Sequence, residues 1–425
     1  MNTKKLLSLF SGCGGMDIGF EGYFDVNKNL LNEFIYPEWL SEKIKVNNIR
    51  LPKTKFKTVF ANDIRPKAKI LWEDFFTKNY QINESPFHLE SIVDLVKKYQ
   101  NSEFRFPENI DIVTGGFPCQ DFSLSGKRAG FNSNKDHLNN EVSSISDDSE
   151  NRGFLYRWMK ECIKITKPKM FVAENVKGLV SLKDIKVQIE KDLSKAGTGY
   201  LVLPGKLFHV GHFGIPQTRE RVIFMGFLKS ALKPNALIEL SKTNISDEYS
   251  PYPIKTHYFE ETKNEDLFKN KLIKKTPKCS TVLQDLLEPC STNDLSQQHY
   301  SKAKWYGRHV QGQTEINLEG MAPTIRAEHH GNIEFRRLSI INGGRYKEEL
   351  NNNLYERRLS VRECLRIQTF PDNFEGVLKF EDKENKRFVV SSSEAYKLVG
   401  NAVPPLFAFH IAKRLENVWE KLFAL

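Results

Sequence analysis

Several features that would fix a protein's class at once are missing from this 425-residue sequence. Its six cysteines, at 13, 119, 162, 279, 290 and 364, include no C-x-x-C pair. That excludes the common zinc spacings and a disulfide framework, and it fits a reducing compartment. The opening run Met1-Asn2-Thr3-Lys4-Lys5-Leu6-Leu7 has no apolar stretch long enough to span a membrane and no signal-peptide pattern. A cytoplasmic protein without a membrane partner is therefore expected. No internal repeat is visible. The glycine-rich turn Ser11-Gly12-Cys13-Gly14-Gly15 departs from the G-x-G-x-x-G spacing, which disfavours a dinucleotide ligand. The pair His329-His330 has no further ligands at metal spacing, so no metal is expected.

What is present is a large apolar fraction and an excess of positive charge. Hydrophobic residues make up 40%, with 30 Phe, enough for a large core in two or three domains. The formal net charge is +10 and the pI about 9.0, which suggests a polyanionic partner.

Along the chain, residues 6–10 read as a buried strand, followed by the glycine-rich turn and a helix from Met16. Strand, turn and helix together suit a nucleotide-type ligand, because the glycines let it approach the backbone. Residues 24–57 read as a polar insertion. A second strand at 58–61 ends in Asn62-Asp63, where an acid can hold a ribose diol or cap a helix. Ser91-Ile92-Val93 leads out of a third strand. Residues 111–114 form another, ending in Gly115-Gly116-Phe117-Pro118-Cys119-Gln120. Pro118 stiffens the loop just before Cys119, so the thiol is either a nucleophile at a strand end or a small buried hydrophobe. The polar stretch 132–150 reads as a mobile surface loop, either an active-site lid or a tolerated insertion. A helix follows from about 153 to 166. Then a strand over 170–173 ends in Glu174, in the same crevice as Cys119. Arg219 and Arg221 alternate in an extended segment, which puts two guanidinium groups side by side, for an anion or carbonyl or for a salt bridge with Glu220. Beyond about 230 the periodicity weakens, as in a separate, irregular domain. Arg336, Arg337, Arg345, Arg357, Arg358, Arg362 and Arg366 concentrate positive charge there, as phosphate anchors or solvated faces. Ser360 and Glu363 make a capping box, and a last helix begins at Pro404-Pro405.

Six blocks stand in a recognisable order: Leu9-Phe10-Ser11-Gly12-Cys13-Gly14-Gly15, Gly116-Phe117-Pro118-Cys119-Gln120-x-Phe122-Ser123, Glu174-Asn175-Val176, Gln217-x-Arg219-x-Arg221, Arg358-Leu359-Ser360-x-Arg362-Glu363 and Gly400-Asn401-Ala402-Val403-Pro404-Pro405. In these the chain resembles the cytosine-C5 DNA methyltransferases of bacterial restriction–modification systems. The resemblance implies an α/β fold with a doubly wound, mostly parallel sheet and a smaller target-recognition domain. It implies a catalytic domain over 1–229, target recognition over 230–390, and a return to the large domain over 391–425. It further implies S-adenosylmethionine as cofactor, double-stranded DNA as substrate, and a monomer without an obligate protein partner, associated with the nucleoid through DNA.

The residues carried over follow the same blocks. Cys119 would add to cytosine C6 and Glu174 would donate to N3. Arg219 would bind the O2 carbonyl, with Arg221 supporting the site. Phe10, Gly12, Cys13, Gly15, Asp63, Ile64, Ile92, Pro118, Leu155, Asn401, Ala402 and Val403 would hold the cofactor. Gln120, Ser123 and Ser125 would touch DNA, with the loop over 121–150 closing on the flipped base. One departure is visible: Glu90-Ser91-Ile92 stands where the family has Gly-Asp-Ile, whose acid holds the adenine amino group. The alternatives are a tRNA cytosine-5 methyltransferase, a catalytically inactive DNA-binding protein on the same scaffold, and a nicotinamide oxidoreductase. Amino-directed methylation is disfavoured, since no Asp/Asn/Ser-Pro-Pro-Tyr/Phe stretch occurs.

Overall fold

Short β-branched strands alternating with amphipathic helices demand a sheet covered on both faces. The computed structural model describes residues 3–80, 82–118, 155–181, 183–259, 272–328, 330–382 and 387–424. Strands β1 (Lys4–Leu9), β2 (Phe56–Asp63), β3 (Phe87–Leu89), β4 (Ile112–Gly115) and β5 (Met170–Val176) pair in parallel in the order β5-β4-β1-β2-β3. β6 (Tyr200–Val202) and β7 (Lys206–His209) pair antiparallel with β8 (Glu220–Leu228), which runs antiparallel along β5. The period of two sorts the side chains: Leu6 joins one core, Leu7 and Leu9 the other. The first core is covered by α1 (Gly15–Glu21) and α2 (Pro66–Tyr80). The second is covered by α3 (Ile92–Gln100), α4 (Leu155–Thr166) and α5 (Lys183–Ser194). The strand order reverses between β1 and β4, where Leu9 lies beside Gly115. A ligand crevice is expected at that switch point.

The α/β architecture with a mostly parallel sheet is the expected one, with differences in detail. β1 ends at Leu9, because Phe10 turns out of the strand at φ 53°. Glu174 lies inside β5 rather than beyond it, since β8 continues the ladder there, with Ile223 opposite Glu174. Residues 24–57 are more than a polar insertion. They form a small sheet of Asp25–Asn27, Glu42–Lys43 and Asn48–Arg50 that buries Phe24, Val26, Trp39 and Leu51. Trp39 stacks on Tyr36 at 4.0 Å and meets Phe409 edge-on, so the segment is part of the core.

The expected boundary at 229/230 meets no break in packing. α6 (Pro234–Leu240) buries Ala236 and Leu240 in the same core as the C-terminal helix, and Leu232 bridges to Phe423. Between about 280 and 390 the chain is irregular, as expected, with only short strand pairs such as Phe335–Arg337 with Arg357–Arg358. Within it, α7 (Val361–Ile367) opens with the Ser360–Glu363 capping box. α8 (Ser392–Asn401) and α9 (Pro405–Leu422) then carry the chain back onto the sheet, where α9 packs along α1.

The arginine cluster is not an array of phosphate anchors. Arg337 and Arg358 are fully buried and Arg357 is 4% exposed. Arg357 makes paired hydrogen bonds to Glu363, both 2.9 Å, and reaches Glu288 at 2.8 Å; Arg337 reaches Glu288 at 2.7 Å. Arg358 donates to the carbonyls of Ala303, Lys304 and Gly312. Arg336 pairs with Glu349, Arg345 with Glu315, and Arg366 with Asp285 and Asp372, while Arg362 donates to the Asp372 carbonyl. An irregular region with few ladders needs these buried donors to satisfy its carbonyls.

Candidate active site

β4 ends at Gly115, opposite Ala173, while β5 runs on to Val176, so Gly116 leaves the sheet beside Glu174. Glu174 continues the face of Met170 and Val172, and Arg221 continues that of Ile223 and Met225 on β8. The period of two therefore brings them together: Arg221 Nε lies 2.7 Å from Glu174 Oε1. Gly116 completes the contact, because a Cβ there would stand 3.0 Å from Glu174 Oε2. Burial pushes the Glu174 carboxyl above the ordinary carboxylate range, against the pull of Arg221 and Arg219. A buried carboxyl that holds its proton beside a guanidinium can donate to a ring nitrogen. Asn175 Nδ2 donates to the Phe117 carbonyl at 3.2 Å and so anchors the turn that leads to Pro118.

Arg219 and Arg221 stay near enough for their charges to act on each other and on Glu174, but they hold different partners. Arg219 is fully buried and donates to the carbonyls of Ile325 (3.0 Å), Gly400 (2.9 Å) and Ala402 (2.8 Å). Its two terminal nitrogens are thus committed to two backbone segments, one at 325 and one at 400–402. Residues 217–218 pair with 322–323 before β8 begins, which brings the chain near Ile325 alongside Arg219. Gln217 joins the same hub. Its amide bonds Gln368 at 3.0 Å and accepts from the Ile325 backbone N–H at 3.1 Å. Gln368 in turn donates to the Val399 carbonyl.

The glycine-rich turn lies at the carboxyl end of β1. Phe10, half-buried, is held by a hydrogen bond from its N–H to Asn62 Oδ1 at 3.3 Å. Gly12 takes φ 55°, and the nearest atom to a Cβ there would be Arg65 at 3.7 Å, so this part of the turn is open. Gly15 is a glycine for another reason: a Cβ would stand 2.4 Å from the Val403 carbonyl. The turn thus packs against Ala402 and Val403. Asn401 is exposed at the end of α8. Cys13 is 1% exposed, and its sulfur faces the Leu398 carbonyl at 3.6 Å, away from the crevice. Asp63, 6% exposed, accepts from the Gly12 N–H at 3.0 Å, the Arg65 N–H at 3.0 Å and the Arg65 guanidinium. Ile64 is half-buried, while Ile92 and Leu155 open α3 and α4 inside the second core. At the departure noted above, Ser91 caps α3 and Glu90 pairs with Lys98 at 2.5 Å.

Cys119, Gln120, Ser123 and Ser125 lie outside the described residues, as does the expected lid over 121–150. Sequence reasoning missed Asn175, Gly116, Gln217 and Gln368 as working parts. The first two were legible as the residues flanking a strand-end acid and a Pro-Cys turn; the glutamine pair, 151 positions apart, carried no local signal. Among the described residues no group of His, Cys, Asp and Glu could hold a metal, and no helix is long and apolar enough to cross a membrane.

The profile of the family "C-5 cytosine-specific DNA methylase" matches residues 4–417. The Type II methyltransferase M.BsuRI of Bacillus subtilis is 31% identical over 422 residues, covering 97% of this chain and 79% of that protein. M.FnuDI of Fusobacterium nucleatum is 29% identical, covering 97% of this chain and 94% of its own length. Among solved structures, the S. pombe Dnmt2 methyltransferase aligns over 99% of both chains with a TM-score of 0.52 at 14% identity, a likeness of fold alone. The chain therefore belongs to the C-5 cytosine-specific DNA methylase family.

Proposed function

We propose that the protein is a DNA (cytosine-5-)-methyltransferase that modifies one cytosine within a specific duplex sequence, as the host-protecting partner of a restriction endonuclease. It is read as a cytoplasmic monomer. The observation that carries the chemistry is the Arg221–Glu174 pair set against Gly116, three residues before Cys119.

Cytosine C5 is too weak a nucleophile to take a methyl group unaided. The Cys119 thiolate adds to C6, and electron density moves onto the ring and C5. Glu174, protonated, donates to N3 as that charge develops, which is worth about 10²–10⁴-fold. Arg221, rather than Arg219, is the guanidinium placed to meet O2 while it holds Glu174. Arg219 acts as the clamp behind them. After methylation a base removes the C5 proton and the thiolate departs. C6 is inaccessible in stacked DNA, so the target base is flipped out at a cost of a few kcal/mol.

S-adenosylmethionine, when bound, supplies the electrophilic methyl group. The residues at the switch point fit it: an open glycine turn at Gly12, a carboxylate at the end of β2, and Ala402-Val403 beside Gly15. Asp63 would take the ribose diol in place of the Arg65 guanidinium. Ser91 and Glu90 are occupied elsewhere, so the adenine amino group is held by other atoms.

Sequence reading is assigned to residues 280–356. There the loops at 306–311 and 339–345 lie together, since a Cβ on Gly343 would meet Arg308 at 2.2 Å. Both are rich in exposed side chains, with Ile341 97% exposed.

The test is transfer of labelled methyl groups to duplex DNA, with bisulfite sequencing to locate the product. Cys119→Ser is expected to abolish transfer and to keep cofactor binding by calorimetry. Near-normal turnover in that variant would overturn the nucleophile assignment.

A further inference from the structure

Away from the methylation site, an open hollow of about 410 Å³ is lined by Gln298, Tyr300, Lys302, Tyr355, Phe380 and Phe388. Its volume is that of a small-ligand site. Four aromatic rings contribute to the wall. Phe380 and Phe388 face each other across a two-residue strand pair, with centroids 4.2 Å apart. The hydroxyls of Tyr300 and Tyr355 meet at 3.5 Å. Behind Phe388 the ring of His299 stacks at 3.7 Å. The wall is fixed to the body of the protein. Tyr300 bridges to Ser360, and the Ser301 N–H donates to the Tyr396 hydroxyl, which donates to the Leu359 carbonyl. The rings are thus held in place before any ligand arrives, which lowers the entropy cost of binding.

The charge of the hollow selects among planar ligands. Lys302 Nζ sits 3.5 Å from the centroid of Tyr300, so a cationic guest would meet a cation already in place. An anionic guest with a flat ring meets stacking faces and an ammonium together. Gln298 adds an amide that can donate and accept along a ring edge. From Lys302 the chain continues with Lys304, Tyr306 and Arg308 exposed at alternate positions, a basic strip leading out of the hollow. Aromatic platforms beside basic strips are how proteins hold unstacked nucleotides without reading their sequence.

We propose that this hollow binds an unstacked nucleotide of the bound DNA, its base against the Tyr300, Tyr355 and Phe380 rings, with Phe388 backing Phe380, and its phosphate on Lys302. The inference rests on the DNA-methyltransferase reading above and adds a second nucleotide site to it. A base displaced from the stack when the target cytosine is flipped would be held here. The same chemistry would accept a free mononucleotide, and the test separates the two.

The probe is a duplex of A·T pairs carrying one extrahelical 2-aminopurine, with its fully paired counterpart; neither holds a target cytosine. The full chain is expected to bind the bulged duplex at least about tenfold more tightly, with quenching of the 2-aminopurine fluorescence. Tyr355→Ala and Lys302→Met, at side chains on the rim, are each expected to remove that preference and the quenching. Both variants should keep the parent's Tm and its cofactor affinity by calorimetry. Preference and quenching retained in both variants would overturn the proposal, as would their absence in the parent chain. Free 2-aminopurine deoxynucleoside monophosphate binding as tightly as the bulged duplex would make this a free-nucleotide site and likewise overturn it. Failure on the bulged probe with methylation intact leaves the functional reading standing; failure of the parent to methylate any DNA removes that reading itself.

Discussion

Arg221 Nε lies 2.7 Å from Glu174 Oε1, yet the Glu174 carboxyl holds its proton above the ordinary carboxylate range. Burial disfavours the charged form by more than the guanidinium favours it. Activity should therefore need Glu174 protonated and Cys119 ionised, and the single-turnover rate should trace a bell against pH. Its alkaline limb falls as Glu174 loses its proton. Glu174→Gln is expected to lower the rate by about 10²–10⁴-fold and to abolish that limb, with DNA affinity by filter binding within about threefold. A loss confined to DNA affinity would make Glu174 structural.

Arg219 ties two distant segments together, through the carbonyls of Ile325, Gly400 and Ala402. The first lies in the proposed recognition region and the other two adjoin the proposed cofactor turn. Arg219→Lys keeps the charge but not the fork, so it leaves carbonyls unpaired at about 1–3 kcal/mol each. We expect weaker binding of both cofactor and DNA, together with a lower Tm. Arg221→Lys should instead slow the chemical step and leave cofactor affinity by calorimetry close to normal. If Arg219→Lys lost single-turnover rate while both affinities held, Arg219 would be the residue that meets the base.

What was legible in the sequence was local. The strand-turn-helix at Leu9–Gly15, the strand before Gly115, the capping box at Ser360 and the last helix were all readable from a few neighbouring residues. The mostly parallel sheet came only with the family resemblance that the six blocks carry together. What stayed hidden depended on partners far along the chain. Arg219 and Arg221 share a strand-like spacing, but pairing of 217–218 with 322–323 separates their tasks. Gly15 looked like part of a ligand turn, yet its missing Cβ makes room for the Val403 carbonyl, 388 positions away in sequence. The segment 24–57 looked polar because its apolar residues, among them Phe24, Trp39 and Leu51, follow no regular period.

The buried arginines make a prediction about salt. Arg357 is hydrogen-bonded to Glu288 and Glu363, and Arg337 to Glu288 and Glu349. Breaking such a buried network by removing one partner costs about 3–5 kcal/mol. Arg357→Ala is expected to lower Tm strongly in a melting experiment. At a temperature where it remains folded, the slope of log K for DNA against log salt should match the parent, because no phosphate contact was lost. A slope reduced by about one would return Arg357 to the DNA interface.

The helix beneath the glycine turn carries two buried acids, and their linkage to pH has a definite sign. Asp17 is fully buried and accepts from Ser8 Oγ at 2.6 Å and Trp72 Nε1 at 2.7 Å. Glu21 accepts from the Thr58 N–H at 2.9 Å. Burial pushes Asp17 up to about 6 and Glu21 up to about 7. Between the unfolded values, near 4, and these, the folded chain binds more protons than the unfolded chain, so both groups lower stability as pH rises. Their contribution is fully present below about pH 4 and is gone above about pH 7. Glu288 works in the opposite direction. Against the cost of burial, Arg357 and Arg337 hold it down to about 2, so its contribution is lost as pH falls through the acid range. The two trends overlap in a melting curve of the parent, and a single variant separates them. Glu21→Gln keeps an oxygen for the Thr58 N–H and removes the titration. Its stability relative to the parent should rise from pH 4 to pH 7, by on the order of 3 kcal/mol for full linkage. Denaturant melts at pH 5, 6 and 7 measure that difference; a constant offset would show that Glu21 is ionised in the folded chain throughout.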